Sequence, residues 1–270
     1  INSGSYSNVV KGNYIGTNAA GTAAVGNTAQ GIYVNHADNI IGGTAAGEGN
    51  IISGSTSGAG INLSINASNT QVLGNYIGTN AAGTAALANK NEGIFIESAG
   101  NTIGGAVAGA GNVISGNGGI GIYISGASAT GNTVAGNHVG VDASGTQALG
   151  NQGTGIRVHS ANNLIGGTTP AARNVISGNA HQGIYIDGTQ ASGNVVIGNY
   201  IGTDVTGMFD IDGGAKDTMR SGVVIDAGAT NNRIGTNADG VNDAAERNVI
   251  SGNNWFGLEF MGTGTSGNVA

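Results

Sequence analysis

The amino-acid sequence predicts an all-β chain that winds into a single parallel β-helix, a solenoid of about eight to nine coils with three short strands per coil. Three features predict it: a repeat of fixed length, short strands with alternating apolar residues, and an asparagine that recurs in every coil. The repeat is the clearest, because Val10, Val72, Val134 and Val196 lie 62 residues apart in the 270-residue chain. A fixed period of this kind is typical of solenoids, in which each unit contacts only its neighbours.

Each 62-residue unit holds two coils, because a segment of pattern G-I-x-I occurs twice in it. Two apolar residues flank an outward-facing one, which is the period of a strand with one buried face. Two further strands follow in each coil, one around N-x-V or N-x-I-G-G and one around N-Y-I or N-V-I-S. The outward column of the G-I-x-I strands consists of Tyr33, Asn62, Phe95, Tyr123, Arg157, Tyr185, Val224 and Glu259.

One asparagine falls at the same position in eight successive coils. An asparagine at a bend can bond its equivalents above and below through its side-chain amide, and it tolerates the left-handed backbone conformation that bends need. We therefore predict an asparagine ladder inside one bend of the coil. Its members are Asn13, Asn50, Asn75, Asn112, Asn137, Asn174, Asn199 and Asn248.

Composition excludes several other classes of protein. The 54 glycines follow no G-X-Y period, so the chain is not collagen-like, and apolar residues at 39% argue against disorder. No apolar run approaches the roughly 18 residues that a membrane span needs. A net charge of −7 argues against nucleic acid and anionic membranes as partners, and the lack of cysteine excludes disulfides and thiolate metal sites.

Aromatic side chains concentrate on the outward column of the G-I-x-I strands, although aromatics make up only 4% of the chain. An aromatic ring covers the C–H face of a sugar while neighbouring polar groups bond its hydroxyls. We expect a polysaccharide-binding face there; the alternative is that the rings stack on each other and stabilise the sheet. The expected binding residues are Tyr33, Phe95, Glu97, Tyr123, Arg157, His159, Tyr185 and Asp187.

A second outward column offers a rival binding face. It contains Tyr14, Ile51, Tyr76, Val113, His138, Val175, Tyr200 and Val249. An aromatic ring returns in it every second coil, about 9.6 Å apart, which is close to two sugar units of an extended β-linked chain. This alternation follows automatically from the two-coil repeat, and we therefore favour the first face.

An enzyme is the main alternative to a binding module. Arg157, His159, Asp187 and Asp226 are expected to lie close together on neighbouring coils and form the candidate catalytic set. A polysaccharide lyase needs a cation and a base, and a glycoside hydrolase needs carboxylates at set separations. Asp187 and Asp226 are expected to stack on adjacent coils. Repulsion between the two carboxylates could raise the pKa of one of them, or the pair could hold a cation.

Two long acidic insertions break the 62-residue period near the C-terminus. Their carboxylates stand on glycine-containing loops and are the hard oxygen donors that Ca²⁺ prefers. The candidate ligands of a structural Ca²⁺ are Asp210, Asp212, Asp217, Asp239, Asp243 and Glu246. The alternative is a pair of solvated acidic loops with Lys216, Arg220 and Arg247 as partners. We expect no other cofactor.

Several segments carry a resemblance to a known family: GNYIGTNAAGTAA (from Gly12 and Gly74), NTIGG (from Asn101), GNVISGN (from Gly111) and NADGVNDAAERNVISGN (from Asn237). They resemble the right-handed, pectin-lyase-like β-helix repeats of secreted and surface-attached bacterial proteins. The chain is similar in kind to β-helical carbohydrate-binding modules attached to plant-polysaccharide-degrading enzymes. The resemblance implies right-handed coils and a secreted or cell-surface protein.

From the residues and the resemblance together, we expect a non-catalytic module that binds plant cell-wall polysaccharide, with xylan as the leading ligand. Residues 1–270 are expected to form one module of a longer protein, covalently linked to further domains such as a glycoside hydrolase. The same fold also serves lyases, hydrolases and adhesin stalks, so these remain alternatives.

Overall fold

The computed structural model describes residues 1–2, 4–211 and 221–270, which form three parallel sheets of eight strands each. Every coil contributes one strand to each sheet, so the predicted parallel β-helix with three strands per coil is confirmed. The described residues contain two helical segments, the 3-10 helix Pro170–Ala172 and the short α-helix Asp243–Glu246. No helix among them is long and apolar enough to cross a membrane.

Each sheet collects the corresponding strands of successive coils. The first sheet consists of Val9–Val10, Ile40–Gly42, Gln71–Leu73, Thr102–Gly104, Thr133–Ala135, Leu164–Gly166, Val195–Ile197 and Arg233–Ile234. The second consists of Tyr14–Ile15, Ile51–Ile52, Tyr76–Ile77, Val113–Ile114, His138–Val139, Val175–Ile176, Tyr200–Ile201 and Val249–Ile250. The third consists of Ile32–Val34, Ile61–Leu63, Ile94–Ile96, Ile122–Ser125, Ile156–His159, Ile184–Asp187, Val223–Asp226 and Leu258–Phe260.

The hydrophobic core runs through the middle of the coils as stacked columns of Ile, Val and Leu. In the third sheet, for example, Ile94, Ile122 and Ile156 are aligned partners on adjacent strands and are fully buried. Each such side chain stabilises the fold by about 1.5–3 kcal/mol relative to an exposed one. Strands of only two to four residues are stable here because each packs against the coils above and below it.

The predicted asparagine ladder is confirmed. Along it, each side-chain amide donates to the carbonyl oxygen of the next asparagine at 2.8–3.1 Å, from Asn13 through Asn248. The interior members, such as Asn75 and Asn137, are fully buried. The ladder therefore satisfies polar groups at the bend between the first and second sheets, where strand pairing does not reach them.

Two further asparagine ladders were not predicted. One precedes the first sheet and connects Asn101, Asn132, Asn163, Asn194, Asn232 and Asn268. The other follows the second sheet and connects Asn89, Asn117, Asn151 and Asn179. An asparagine ladder thus lies at three corners of the coil and fixes where each short strand begins or ends.

Candidate functional site

The outward column of the third sheet has the predicted composition and order. Backbone pairing aligns Tyr33, Asn62, Phe95, Tyr123, Arg157, Tyr185, Val224 and Glu259 on successive strands. Tyr33 is 44% exposed, whereas Phe95, Tyr123 and Tyr185 are partly covered. Glu97 follows its strand immediately and is also partly exposed. Val224 is only 2% exposed, so the outward face is not open along its whole length.

The rings of this column pack mainly on each other and on Arg157. The Phe95 and Tyr123 ring centroids are 5.4 Å apart. The Arg157 guanidinium lies between two tyrosines, 5.1 Å from the Tyr123 centroid and 5.4 Å from the Tyr185 centroid. This arrangement corresponds to the alternative in which the rings stabilise the sheet face.

Arg157 forms a bidentate ion pair with Asp187. Its Nε and Nη2 donate to the two carboxylate oxygens at 2.9 and 2.7 Å, and these bonds raise the pKa of Arg157 above its usual value. His159 Nδ1 lies 3.3 Å from the same carboxylate, which is only 5% exposed. We expected Arg157 to bond sugar hydroxyls, but two of its three nitrogens already serve Asp187.

Asp226 bonds to a different partner. The hydroxyl of Tyr185 donates to it at 2.8 Å, and burial together with this bond raises the pKa of Tyr185 to about 12. Asp187 and Asp226 are aligned on adjacent strands as predicted, but each has its own donor. Arg157, His159 and Asp187 are therefore joined in one network, in which the Asp187 oxygens are turned towards Arg157 and His159 rather than solvent, whereas Asp226 is bonded to Tyr185.

A groove of about 740 Å³ lies on the other predicted face, over the second sheet. The rival column forms its floor, and backbone pairing confirms the order of Tyr14, Ile51, Tyr76, Val113 and His138. Ile51 and Val113 are only 5% and 7% exposed, although their neighbours Ile52 and Ile114 occupy the core side. Apolar floor residues thus alternate with rings along the coil axis.

Two families of loops form the walls of this groove. The bridge loops, each closed by an antiparallel bridge, are residues 17–24, 79–86, 141–148 and 203–210, and Ala81 and Ala143 of the second and third loops line the groove. They stack directly, because Ala81 N donates to Gly21 O and Ala143 N donates to Gly83 O, both at 2.9 Å. The opposite wall consists of the glycine loops, residues 43–49 and 105–111. Three of the seven residues in each loop are glycine. Gly43, Gly47, Gly49, Gly109 and Gly111 line the groove, and their peptide groups border it because glycine has no side chain.

Each bridge loop packs a glycine against the ring of its own coil. A Cβ atom at Gly83 would lie 2.5 Å from Cε1 of Tyr76, and one at Gly145 would lie 3.0 Å from Cε1 of His138. No larger residue fits there, and Gly83 has the positive φ of 68° that glycine adopts readily. The loops therefore contact each ring on one side and restrict its orientation. The rings are not fully covered, since Tyr14 is 50% exposed.

His138 replaces the tyrosine of the equivalent coils. Its Nδ1 lies 3.3 Å from the carbonyl oxygen of Asp142, and because a carbonyl can only accept, Nδ1 carries the proton. Burial lowers the pKa of His138, so the ring is neutral near pH 7. The groove floor therefore carries no charge on its three rings.

The acidic loops are described only in part, because Asp212 and Asp217 lie outside the described residues, as do Lys216 and Arg220. Asp239 accepts from Val241 N and the Asn237 amide, which lower its pKa, and Asp243 accepts from the Thr236 hydroxyl. Glu246 pairs with Arg233 at 3.1 Å. Among the described residues, no three His, Asp or Glu side chains are grouped to hold a metal ion. The six-residue Ca²⁺ site stays a prediction.

The groove walls were missed by sequence reasoning, although a signal was present. The segments NAAGTAA (from Asn18 and Asn80) and GG-x-x-x-G-x-G (from Gly42 and Gly104) each occur twice, 62 residues apart, and contribute to the two walls. Only the fold reveals that both segments project from the outer face of the second sheet, on opposite sides of its outward column. In comparisons with known proteins, the chain matches no family model, no curated protein and no solved structure.

Proposed function

We propose that this β-helix is a non-catalytic carbohydrate-binding module that holds an extended, β-linked plant cell-wall polysaccharide, with xylan as the first ligand to test. The observation that carries the proposal is the groove over the second sheet, with a ring on its floor in every second coil. The wall loops repeat with the same period, about 9.6 Å. Two sugar units of an extended β-linked chain have a similar length, so chain and groove can stay in register over several coils.

The chemistry of the groove suits a neutral sugar chain. Tyr14 and Tyr76 offer apolar ring surface to pyranose C–H groups, while Thr44 and the loop peptide groups border the groove with polar atoms. The rings are held in place before binding, which reduces the ordering cost. None of the described residues that line the groove has a cationic side chain, in keeping with an uncharged ligand.

The two candidate faces can be separated by matched substitutions. Tyr76→Ala removes a ring from the groove, and Tyr123→Ala removes a similarly half-buried ring from the third sheet. We expect Tyr76→Ala to weaken xylan binding roughly five- to thirtyfold and Tyr123→Ala to leave it nearly unchanged. Affinity electrophoresis against xylan, β-glucan, pectin and alginate, with melting temperatures as the folding control, measures both effects.

Other outcomes of the same experiment decide between the alternatives. Weakening by Tyr123→Ala and Tyr185→Ala but not by Tyr76→Ala would move the site to the third sheet. Sugar products released from any polysaccharide, and lost in Asp187→Asn, would identify an enzyme. No retardation by any of the four polysaccharides would reject the binding module and favour a stalk.

A further inference from the structure

The groove ends abruptly although the repeat continues, and the loop before the ladder asparagine changes in sequence at that point, including its last residue. The residue before the ladder asparagine is Gly49 or Gly111 where the groove is open, and both line it. In the next two-coil units this position is Arg173 and then Arg247. The groove lining reaches Gly136, His138 and Ala143 but includes no residue of the coil that contains Arg173.

Arg173 is delivered by a loop unlike the glycine loops. This proline loop, residues 167–173, contains the 3-10 helix Pro170–Ala172, whose N-terminus is capped by Thr169. The Arg173 Nε donates to the carbonyl oxygen of Gly198 at 3.1 Å, and its guanidinium lies 4.1 Å from the centroid of the Tyr200 ring. The side chain is thus fixed across the second sheet instead of extending into solvent.

Tyr200 is the member of the floor column that should continue the groove. Its position matches Tyr14 and Tyr76 in the repeat, and Gly207 packs against its ring, with a Cβ there only 2.8 Å from Cζ. The guanidinium of Arg173 lies over the same ring. A ring in contact with a loop glycine and an arginine has little face left for a sugar.

We propose that Arg173 closes the groove at this end and thereby limits the length of glycan that it binds. The inference rests on the proposed glycan binding and names the feature that sets its extent. The floor spans four coil spacings from Tyr14 to His138, about 19 Å. Because two coils match about two sugar units, this length accommodates about four sugar units. Affinity should rise with chain length up to about that size and then level off.

Isothermal titration with β-1,4-xylo-oligosaccharides, from the disaccharide to the octasaccharide, tests this directly. The wild-type protein should reach its plateau near the tetrasaccharide. Arg173→Gly restores the residue found at Gly49 and Gly111, uncovers Tyr200 and should move the plateau outward by about two sugars, with roughly five- to thirtyfold tighter binding of the hexasaccharide. Arg247→Gly is the matched control, because Arg247 occupies the same motif position and is exposed; it should leave the plateau in place.

A second variant keeps the test decisive if Arg173→Gly does not fold. Tyr200→Ala in the wild-type background should leave tetrasaccharide affinity unchanged, whereas Tyr76→Ala lowers it. Closure by Arg173 is wrong if Tyr200→Ala lowers affinity as much as Tyr76→Ala, or if a folded Arg173→Gly protein keeps the wild-type plateau. Absence of binding to any oligosaccharide or to xylan would overturn the proposed function and this inference together.

Discussion

At the residue scale, two arginines stack on tyrosines with different consequences. Arg157 sits between Tyr123 and Tyr185 and is neutralised by Asp187, so its stacking stabilises the outer face of the third sheet. Arg173 lies over Tyr200 and bonds a backbone carbonyl, so it covers a ring of the second sheet. Such contacts are each worth about 0.5–2 kcal/mol. The two arginines differ in the surface that they cover: Arg157 covers the outer face of the third sheet, and Arg173 covers a ring of the second sheet.

The buried imidazole of His138 gives a prediction about acid stability. Burial lowers the pKa of His138 in the folded protein, so the unfolded chain takes up the proton first as the pH falls. The stability due to neutral His138 is complete above the ordinary histidine pKa of about 6.5 and is lost as the pH falls below it towards the lower folded pKa.

His138→Tyr installs the residue of the equivalent coils and should remove this part of the pH dependence. Urea unfolding midpoints between about pH 7 and pH 5 measure it, and the remaining three of the four histidines are common to both proteins and cancel. Equal losses of stability in the two proteins would contradict the assignment to His138.

At the scale of structural elements, the asparagine ladders supply hydrogen bonds between coils that longer strands supply in other β-proteins. Interior amides join two coils, and many of them also donate to a backbone carbonyl, as Asn112 does to Val72 O at 2.8 Å. A corner without these bonds would leave several peptide groups buried without partners. The ladders therefore permit sharp corners, and the corners set the positions of the wall loops.

Asn132→Ala tests the ladder that the sequence did not reveal. Asn132 is fully buried, and its carbonyl oxygen accepts from both the backbone and side-chain nitrogens of Asn101. Removing it leaves these buried donors unsatisfied and should cost about 2–5 kcal/mol of unfolding free energy. Asn8 donates to Asn39 at the equivalent corner of an earlier coil and is only partly buried, so Asn8→Ala should cost less. Similar shifts in the denaturation midpoint for both variants would argue against a ladder that depends on burial.

The sequence predicted the parts of the fold and site that follow from local periodicity. Alternation of apolar residues identified the core columns and the order of both outward columns, and the 62-residue repeat aligned the Asn13 to Asn248 ladder. The other ladders were not predicted because Asn101 was assigned to the strand pattern N-x-I-G-G and Asn117 was given no role. Whether an amide points inward depends on the backbone angles at the bend. The groove escaped for a similar reason, since its walls depend on the direction in which loops leave the sheet.

Side-chain partners were the least predictable part of the site. Asp187 lies two positions beyond the strand neighbour of Arg157, and only the rotamer of a long side chain decides that the two meet. The change from Gly49 and Gly111 to Arg173 was visible in the sequence, but its meaning depends on Tyr200 lying in the following coil. Contacts along a diagonal between coils do not follow from a repeat.

At the scale of the whole molecule, stability is a sum of coils and the contacts between neighbouring coils. A buried side chain in a middle coil touches equivalents on both sides, whereas one in the outermost strand of a sheet has a partner on one side. Ile122 pairs with Ile94 and Ile156, and all three are fully buried. Ile32 belongs to the outermost strand of the same sheet, pairs only with Ile61 within it, and is 8% exposed.

The same substitution should therefore have unequal effects at the two places. We expect Ile122→Ala to lower the unfolding free energy by about 2–5 kcal/mol, and Ile32→Ala to lower it clearly less, because Ile32 has a paired strand on one side only and is slightly exposed. A weakened middle coil should also separate the unfolding of the two halves, seen as a broader or two-step urea transition by far-ultraviolet circular dichroism. If the two variants lose equal stability in single sharp transitions, the chain unfolds as one cooperative unit and the nearest-neighbour description is wrong.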